Sequence, residues 1–233
     1  MGEYFRWVNF DRKEYILPRN FEEALRSYQT MYKGSRLLAA LQELVSHEWE
    51  KSHIAFIGDE WNIPENVPSA AFDAISKQME QDGYNNIYDY IIETFVNVSG
   101  KFKSTEESVT EDIESYLATI KYEPDYPNDY GIDINDPYQG LFLRSGTWFE
   151  YTINETLKIG YSMSEIKVFM DDEMYENWVP LPYLMGYGRS LKLGPWFGDI
   201  VSFRNHLDDD IRLIDRIYLY FDNDSAPRIV FDE

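Results

Sequence analysis

The chain has no cysteine, so disulfides and thiolate metal sites are excluded and no thiol can serve as a nucleophile. It has only three histidines, His47, His53 and His206. His47 and His53 fall in no His-x-x-x-His pattern, so a zinc site of familiar spacing is missing. His47 sits late in an amphipathic stretch, where a histidine suits a helix C-terminus. No Gly-x-Ser-x-Gly occurs. Gly186-Tyr187-Gly188-Arg189-Ser190 falls short of a dinucleotide fingerprint and follows no expected strand. No apolar run approaches the roughly 20 residues a membrane helix needs. The opening residues Met1-Gly2-Glu3-Tyr4-Phe5-Arg6 carry no apolar core of a secretory signal, and Arg6 breaks the myristoylation pattern. The expectation is a soluble, cytoplasmic protein.

Basic residues are scarce: 21 against 42 acidic ones, for a net charge of −21. Such a field repels nucleic-acid phosphates and anionic lipid heads and favours cationic partners. High charge with few aromatics would read as disorder, but aromatics make up 17% here and argue for a packed core. At 233 residues the chain can bury about 70% of its unfolded surface without staples.

The stretch Gly140 to Val179 alternates short β-forming runs with polar reversals at Asn154-Glu155-Thr156 and Asp171-Asp172-Glu173. That pattern predicts an antiparallel meander. Upstream, Tyr4–Val8 and Glu14–Leu17 flank a polar turn and read as a hairpin. Asn20 opens a helix with Phe21, Ala24, Leu25, Tyr28 and Tyr32 on one face, and Ser35 caps a second with Leu37, Leu38, Leu41, Leu44, Val45 and Trp49 aligned. His53–Ile57 reads as a buried strand. Further helices are expected over Ser69–Asp82, Asn86–Val98 and from the capping box Ser104-Thr105-Glu106-Glu107 to Ile120. Leu181–Tyr187 reads as a helical turn, and Ile200–Phe203, Ile217–Phe221 and Arg228–Phe231 as strands. No repeat or low-complexity linker divides the chain. The expectation is a single α+β domain over residues 1–233. Its mainly antiparallel sheet is built by the N-terminal hairpin and the C-terminal half, covered by about five helices from residues 20–120.

Two places could hold chemistry. Asp59 and Glu60 leave a buried strand, where carboxylates could bind a divalent cation such as Mg²⁺. The acidic loop 121–139 fails as a calcium loop: counted from Asp125 the third position is Pro127, and counted from Asp133 the fifth is Pro137. Asp208–Asp210 reads as a solvated turn.

Gly2–Ile16 (GEYFRWVNFDRKEYI), Ile54–Glu60 (IAFIGDE) and Gly140–Asn154 (GLFLRSGTWFEYTIN) resemble segments of a loose set of bacterial proteins of about 200–240 residues. That resemblance implies a bacterial or phage cytosolic protein; it brings no activity and no functional residues. A second likeness, in size and charge alone, is to acidic immunity and inhibitor proteins. The functional expectation is a non-catalytic acidic binding protein, immunity- or anti-defence-like, without a cofactor. It would mask a basic surface of a partner protein such as a nucleic-acid-binding enzyme. Aromatics beside acids would anchor it: Trp61, Asp133, Asp136, Trp148, Glu150, Asp171, Asp172, Glu173 and Trp178. The alternative is a metal-dependent hydrolase of a small substrate, with Asp59 and Glu60 as ligands.

Overall fold

The structure is a computed structural model that describes residues 4–21, 32–33, 35–59, 67, 69–103, 115, 117–124, 141–142, 149–170, 173–188, 192–219 and 228–231. The fold is α+β.

The hairpin forms as the sequence predicts. Strands β1 (Phe5–Asn9) and β2 (Glu14–Ile16) pair antiparallel, Trp7 opposite Ile16. Asn9 closes the turn by accepting the Arg12 N–H at 2.9 Å. Strand β3 (Ile54–Gly58) is buried along its whole length, as a central strand must be when neighbours stand on both sides. β1 pairs with it antiparallel, and β11 (Gly186–Gly188) runs parallel on its other edge. With β12 (Lys192–Leu193) and β4 (Val96–Asn97) the first sheet reads β12-β11-β3-β1-β2-β4.

Three helices cover this sheet. Helix α1 (Arg36–Ser46) is capped by Ser35, whose hydroxyl accepts the Leu38 N–H at 3.1 Å. Its apolar stripe joins the larger core with Phe5, Trp7 and Phe56. Helix α2 (Ala70–Gln81) is capped by Ser69 and stopped at Gly83, whose φ of +84° suits glycine. With α3 (Ile87–Thr94) it covers the opposite face, where Phe72, Ile75, Tyr90 and Ile91 pack on Val8, Ala55 and Ile57.

Two helical expectations shorten. The pattern over Asn86–Val98 becomes α3 plus an extended tail. Phe95 has a φ of −95° and a ψ of 159°, and the Val96 and Val98 N–H groups bond the Lys13 and Tyr15 carbonyls at 2.9 Å each. β-Branched residues at the free edge of β2 gain more from sheet pairing than from helix. Likewise Leu181–Tyr187 holds a one-turn helix before Gly186 enters β11. Pro18–Phe21 forms a 3-10 turn; the rest of the helix expected to Tyr32 lies largely outside the described residues. From the Ser104 helix, residues 117–122 are described and form α4; residues 104–114 lie outside. The turn at 181–184 is α5.

The meander is the main revision. β7 (Tyr151–Asn154) and β8 (Ile159–Ser162) form a hairpin, and β9 (Lys167–Met170) pairs with β10 (Glu173–Met174). Yet β8 and β9 do not pair with each other. Strand β14 (Arg212–Leu219) runs parallel to both, Leu213 beside Gly160 and Ile217 beside Val168. The polar break at Met163–Glu165 is thus a bulge within one direction of travel, not a reversal. The second sheet reads β10-β9-β14-β8-β7-β13, with β13 (Val201–Arg204) at one margin and β15 (Arg228–Phe231) on β14. So the C-terminal half lends β11 and β12 to the hairpin's sheet and builds a second sheet with the rest. The inner face of that second sheet, including Val168, Ile214, Ile217 and Leu219, joins α1 in the larger core. A short pair, β5 (Phe102–Lys103) with β6 (Leu141–Phe142), stands apart.

Candidate functional site

Asp59 sits where β3 ends, as expected, but its carboxylate closes the sheet. Its Oδ1 accepts the Tyr4 N–H at 2.9 Å, and its own N–H bonds the Tyr4 carbonyl at 3.1 Å. Asn86, the cap of α3, donates Nδ2 to the Asp59 carbonyl at 3.5 Å. Asp59 therefore has a structural task at the joint of β1, β3 and α3. Its proposed companion Glu60 lies outside the described residues. Among the described residues, no group of three or more His, Asp or Glu side chains is placed to hold a metal ion.

Arg6, opposite Ile57 on β3, is buried on β1. Its guanidinium carbon lies 3.9 Å from the Tyr88 ring centroid and 4.8 Å from that of Tyr15. Two ring faces replace the water the cation has lost. Burial pushes the Tyr88 phenol up, and the Arg6 charge pulls the other way.

Of the expected partner-binding residues, Trp61, Asp133, Asp136, Trp148, Asp171 and Asp172 lie outside the described residues. The remaining three are spread over different settings. Trp178 is buried, with Tyr175 at 4.4 Å and Tyr32 at 6.1 Å between ring centroids. Its ring is core material, and Tyr32, 42% exposed, is the aromatic that meets solvent there. Glu173 is exposed on β10 and accepts the Tyr175 hydroxyl at 3.3 Å. Glu150 is held in place: its Oε1 accepts the hydroxyls of Ser162 and Ser164, each at 2.5 Å, and the Ser164 N–H at 3.3 Å. Burial alone would raise the Glu150 pKa, but the hydroxyl and N–H donors, with the Lys33 charge, outweigh it and hold the carboxyl below its usual range. Burial lowers Lys33 in turn, against the pull of Glu150 and Glu176. Glu150 thus fastens the bulge between β8 and β9.

The free negative charge gathers elsewhere. The outer side of α2 and α3 exposes Asp73, Glu80, Asp82, Asp89 and Glu93 against a single cation, Lys77. Ion pairs elsewhere consume basic residues: Lys101 with Glu48 at 2.5 Å, Lys167 with Asp215 at 3.7 Å, and Arg204 with Glu155 and Asp208. None of the ion pairs among the described residues engages the five α2–α3 acids. Two of them are oriented by tyrosines. Glu93 accepts the Tyr84 hydroxyl at 2.6 Å and Asp82 the Tyr90 hydroxyl at 3.2 Å. The Glu93 hydrogen bond raises the Tyr84 phenol; burial, then Asp82, raises that of Tyr90. The 3.6 period of the sequence carries a signal for part of this face: on α3 Asp89 and Glu93 fall opposite Ile87, Tyr90 and Ile91, and on α2 Asp73 and Glu80 flank the stripe of Phe72, Ile75 and Met79.

A last polar cluster had no signal in the sequence. His53 and Asp11 are far apart in the chain, yet Asp11 Oδ2 accepts the His53 N–H at 2.8 Å and lies 2.9 Å from its Nδ1. His53 also bridges to Ile200, where the two sheets meet. Burial pushes Asp199 up; Asn154, donating at 2.7 Å, and the His53 charge oppose that.

No family model, curated protein or solved structure matches the chain. No helix among the described residues is long and apolar enough to cross a membrane.

Proposed function

We propose that the chain is a non-catalytic binding protein whose acidic α2–α3 face covers a basic surface on a partner protein. A nucleic-acid-binding enzyme is the type of partner such a face fits, because its phosphate-contacting surface is cationic. On this reading the chain acts as an inhibitor, in the manner of an immunity or anti-defence protein, in the cytoplasm.

One observation carries the reading: five exposed carboxylates and one lysine on adjoining helices, with no ion pair among the described residues to neutralise them. Like-signed charge on a two-helix layer steers a cationic partner and rejects anionic ones. The hydrolase alternative centred on Asp59 has less behind it: among the described residues no group of three or more His, Asp or Glu side chains gathers around that carboxylate, whose Oδ1 accepts the Tyr4 N–H.

The test is capture of binding proteins from cells by the wild-type chain and by a variant carrying Asp73→Asn, Glu80→Gln and Asp89→Asn. The expected captive is basic, is lost with the variant, and associates more slowly as salt rises across the Debye range. An association rate indifferent to salt, or unchanged in the variant, would sink the proposal.

A further inference from the structure

A groove of about 470 Å³ is bordered by the C-terminal end of α1 and the turn after it, by β13, and by the turn joining β7 to β8. It lies beside the joint of the two sheets. There the His53–Ile200 bridge and the Ile54 N–H, 3.3 Å from the Asp199 carbonyl, meet the outer edge of β13. Val201 and Phe203 are only 2% and 5% exposed and close the floor. The remaining space suits a small molecule and not a strand, and it falls within the range of roughly 300–1,000 Å³ usual for such sites.

Its lining is of two kinds. Val45, Phe149 and Ile200 are apolar, and Phe149 packs on Phe203 with 6.3 Å between ring centroids. The charged lining pairs opposite signs: Glu50 with Lys51 at 3.1 Å, and Glu155 with Lys158 at 3.5 Å. The two pairs are not equally committed. Glu155 is held by Arg204 and by the Ser202 hydroxyl, and Asp210 holds Lys158 at 3.6 Å. Among the described residues, Glu50 and Lys51 form an ion pair only with each other. Their side chains are 60% and 83% exposed, and so exposed a pair contributes little. The Ser46 Oγ also borders the groove, and it is buried without a hydrogen-bond partner. Such an orphan is uncommon in a folded protein, and a hydroxyl can both donate and accept.

We infer that this groove binds a small zwitterion with an apolar body, of which a free α-amino acid such as leucine or phenylalanine is the simplest case. Glu50 and Lys51 exchange their weak mutual contact for the ligand's ammonium and carboxylate, which are charge-assisted hydrogen bonds. Ser46 gains the partner it lacks from the same head group. The apolar body lies on Val45 and Phe149. The pairing of signs sets the ligand class. A simple anion answers Lys51 and leaves Glu50 facing it; a simple amine does the reverse. Only a ligand carrying both signs satisfies the pair. This site is distinct from the α2–α3 face, and neither proposal depends on the other.

The probes are L-leucine and L-phenylalanine, titrated into the full chain to millimolar concentration. Backbone amide shifts are read by NMR at Ser46, Lys51 and Ile200, with Lys77 on α2 as a remote control. Saturable shifts are expected at the first three and none at Lys77. N-acetyl-phenylalanine lacks the ammonium and phenethylamine lacks the carboxylate; each should bind about tenfold more weakly than phenylalanine, the loss expected for one hydrogen bond to a charged group. Glycine, without an apolar body, should bind more weakly than leucine. Glu50→Gln and Lys51→Gln alter exposed side chains, so urea midpoints should stay close to the parent's, while each weakens phenylalanine about threefold. Three results would overturn the inference: neither amino acid shifting the groove amides, both analogues binding as tightly as phenylalanine, or both folded variants binding it like the parent.

Discussion

Trp49 donates its indole N–H to Glu14 Oε2 at 2.7 Å, tying the turn after α1 to the second strand of the opening hairpin. The indole is fully buried, and Glu14 also meets Arg12 at 3.0 Å and Lys101 at 3.9 Å. Glu14→Ala would leave the buried donor without an acceptor, which costs about 1–3 kcal/mol. Glu14→Gln keeps an acceptor oxygen and should cost less. Urea unfolding of the two variants gives the ordering; equal midpoints would show that the indole bond contributes nothing.

Gly198 has a φ of +72°, and a Cβ there would stand 2.5 Å from Ser69 Oγ and 2.9 Å from Ser69 Cβ. Ser69 caps α2 and donates its hydroxyl to the Gly198 carbonyl at 3.3 Å. Gly198→Ala therefore meets both backbone strain and a clash, for a loss of about 2 kcal/mol or more. Ser69→Ala should lose about 1 kcal/mol as a missing N-cap. Thermal unfolding of both variants checks the ranking.

Glu150 makes stability depend on pH in a known direction. Its carboxyl is held below the usual range in the folded chain, by donors that outweigh burial. A group with a depressed folded pKa stabilises above its unfolded value, about 4.3 for glutamate, and that contribution fades as pH falls through the folded value. Glu150→Gln should thus be less stable than the parent at neutral pH, with the gap closing under acid. Unfolding midpoints that run parallel across that range would contradict the assignment.

The α2–α3 acids differ in their own energetics. Asp73 and Asp89 lie in the first turns of their helices, where a negative charge favours the helix dipole. Asp73→Asn and Asp89→Asn should each cost about 0.3–1 kcal/mol. Glu80 lies in the last turn of α2, where the sign reverses, so Glu80→Gln should be neutral or slightly stabilising. Chemical denaturation of the single variants separates the three. The result also shows whether the binding test above is read on a folded chain.

Periodicity made α1, α2 and the buried strand β3 legible, because an apolar stripe or run states which face must leave water. The acidic face of α2 and α3 is not among the expected binding residues, because periodicity states which side leaves water and not which of many exposed acids stay unpaired. Periodicity misjudged the segment after Thr94, where Val96 and Val98 could continue a helix or lie in a strand with equal local grounds. The free edge of β2 decided it. The meander failed similarly: nothing in Ser162–Glu165 tells whether the chain reverses or bulges, and β14, arriving some 50 residues later, pairs in parallel first with β8 and then with β9.

What the sequence determined by itself is therefore the set of surfaces that must be buried, the caps at Ser35 and Ser69, the lack of thiol chemistry and the sign of the outer field. Those follow from local geometry and composition. The tertiary structure decided which strand edges meet. It put Trp178 inside, gave Asp59 and Glu150 structural partners, and set His53 against Ile200 where the two sheets meet. Hydrogen-bond pairing between strands joins residues that are distant in the chain, and no local period encodes which edge will find which.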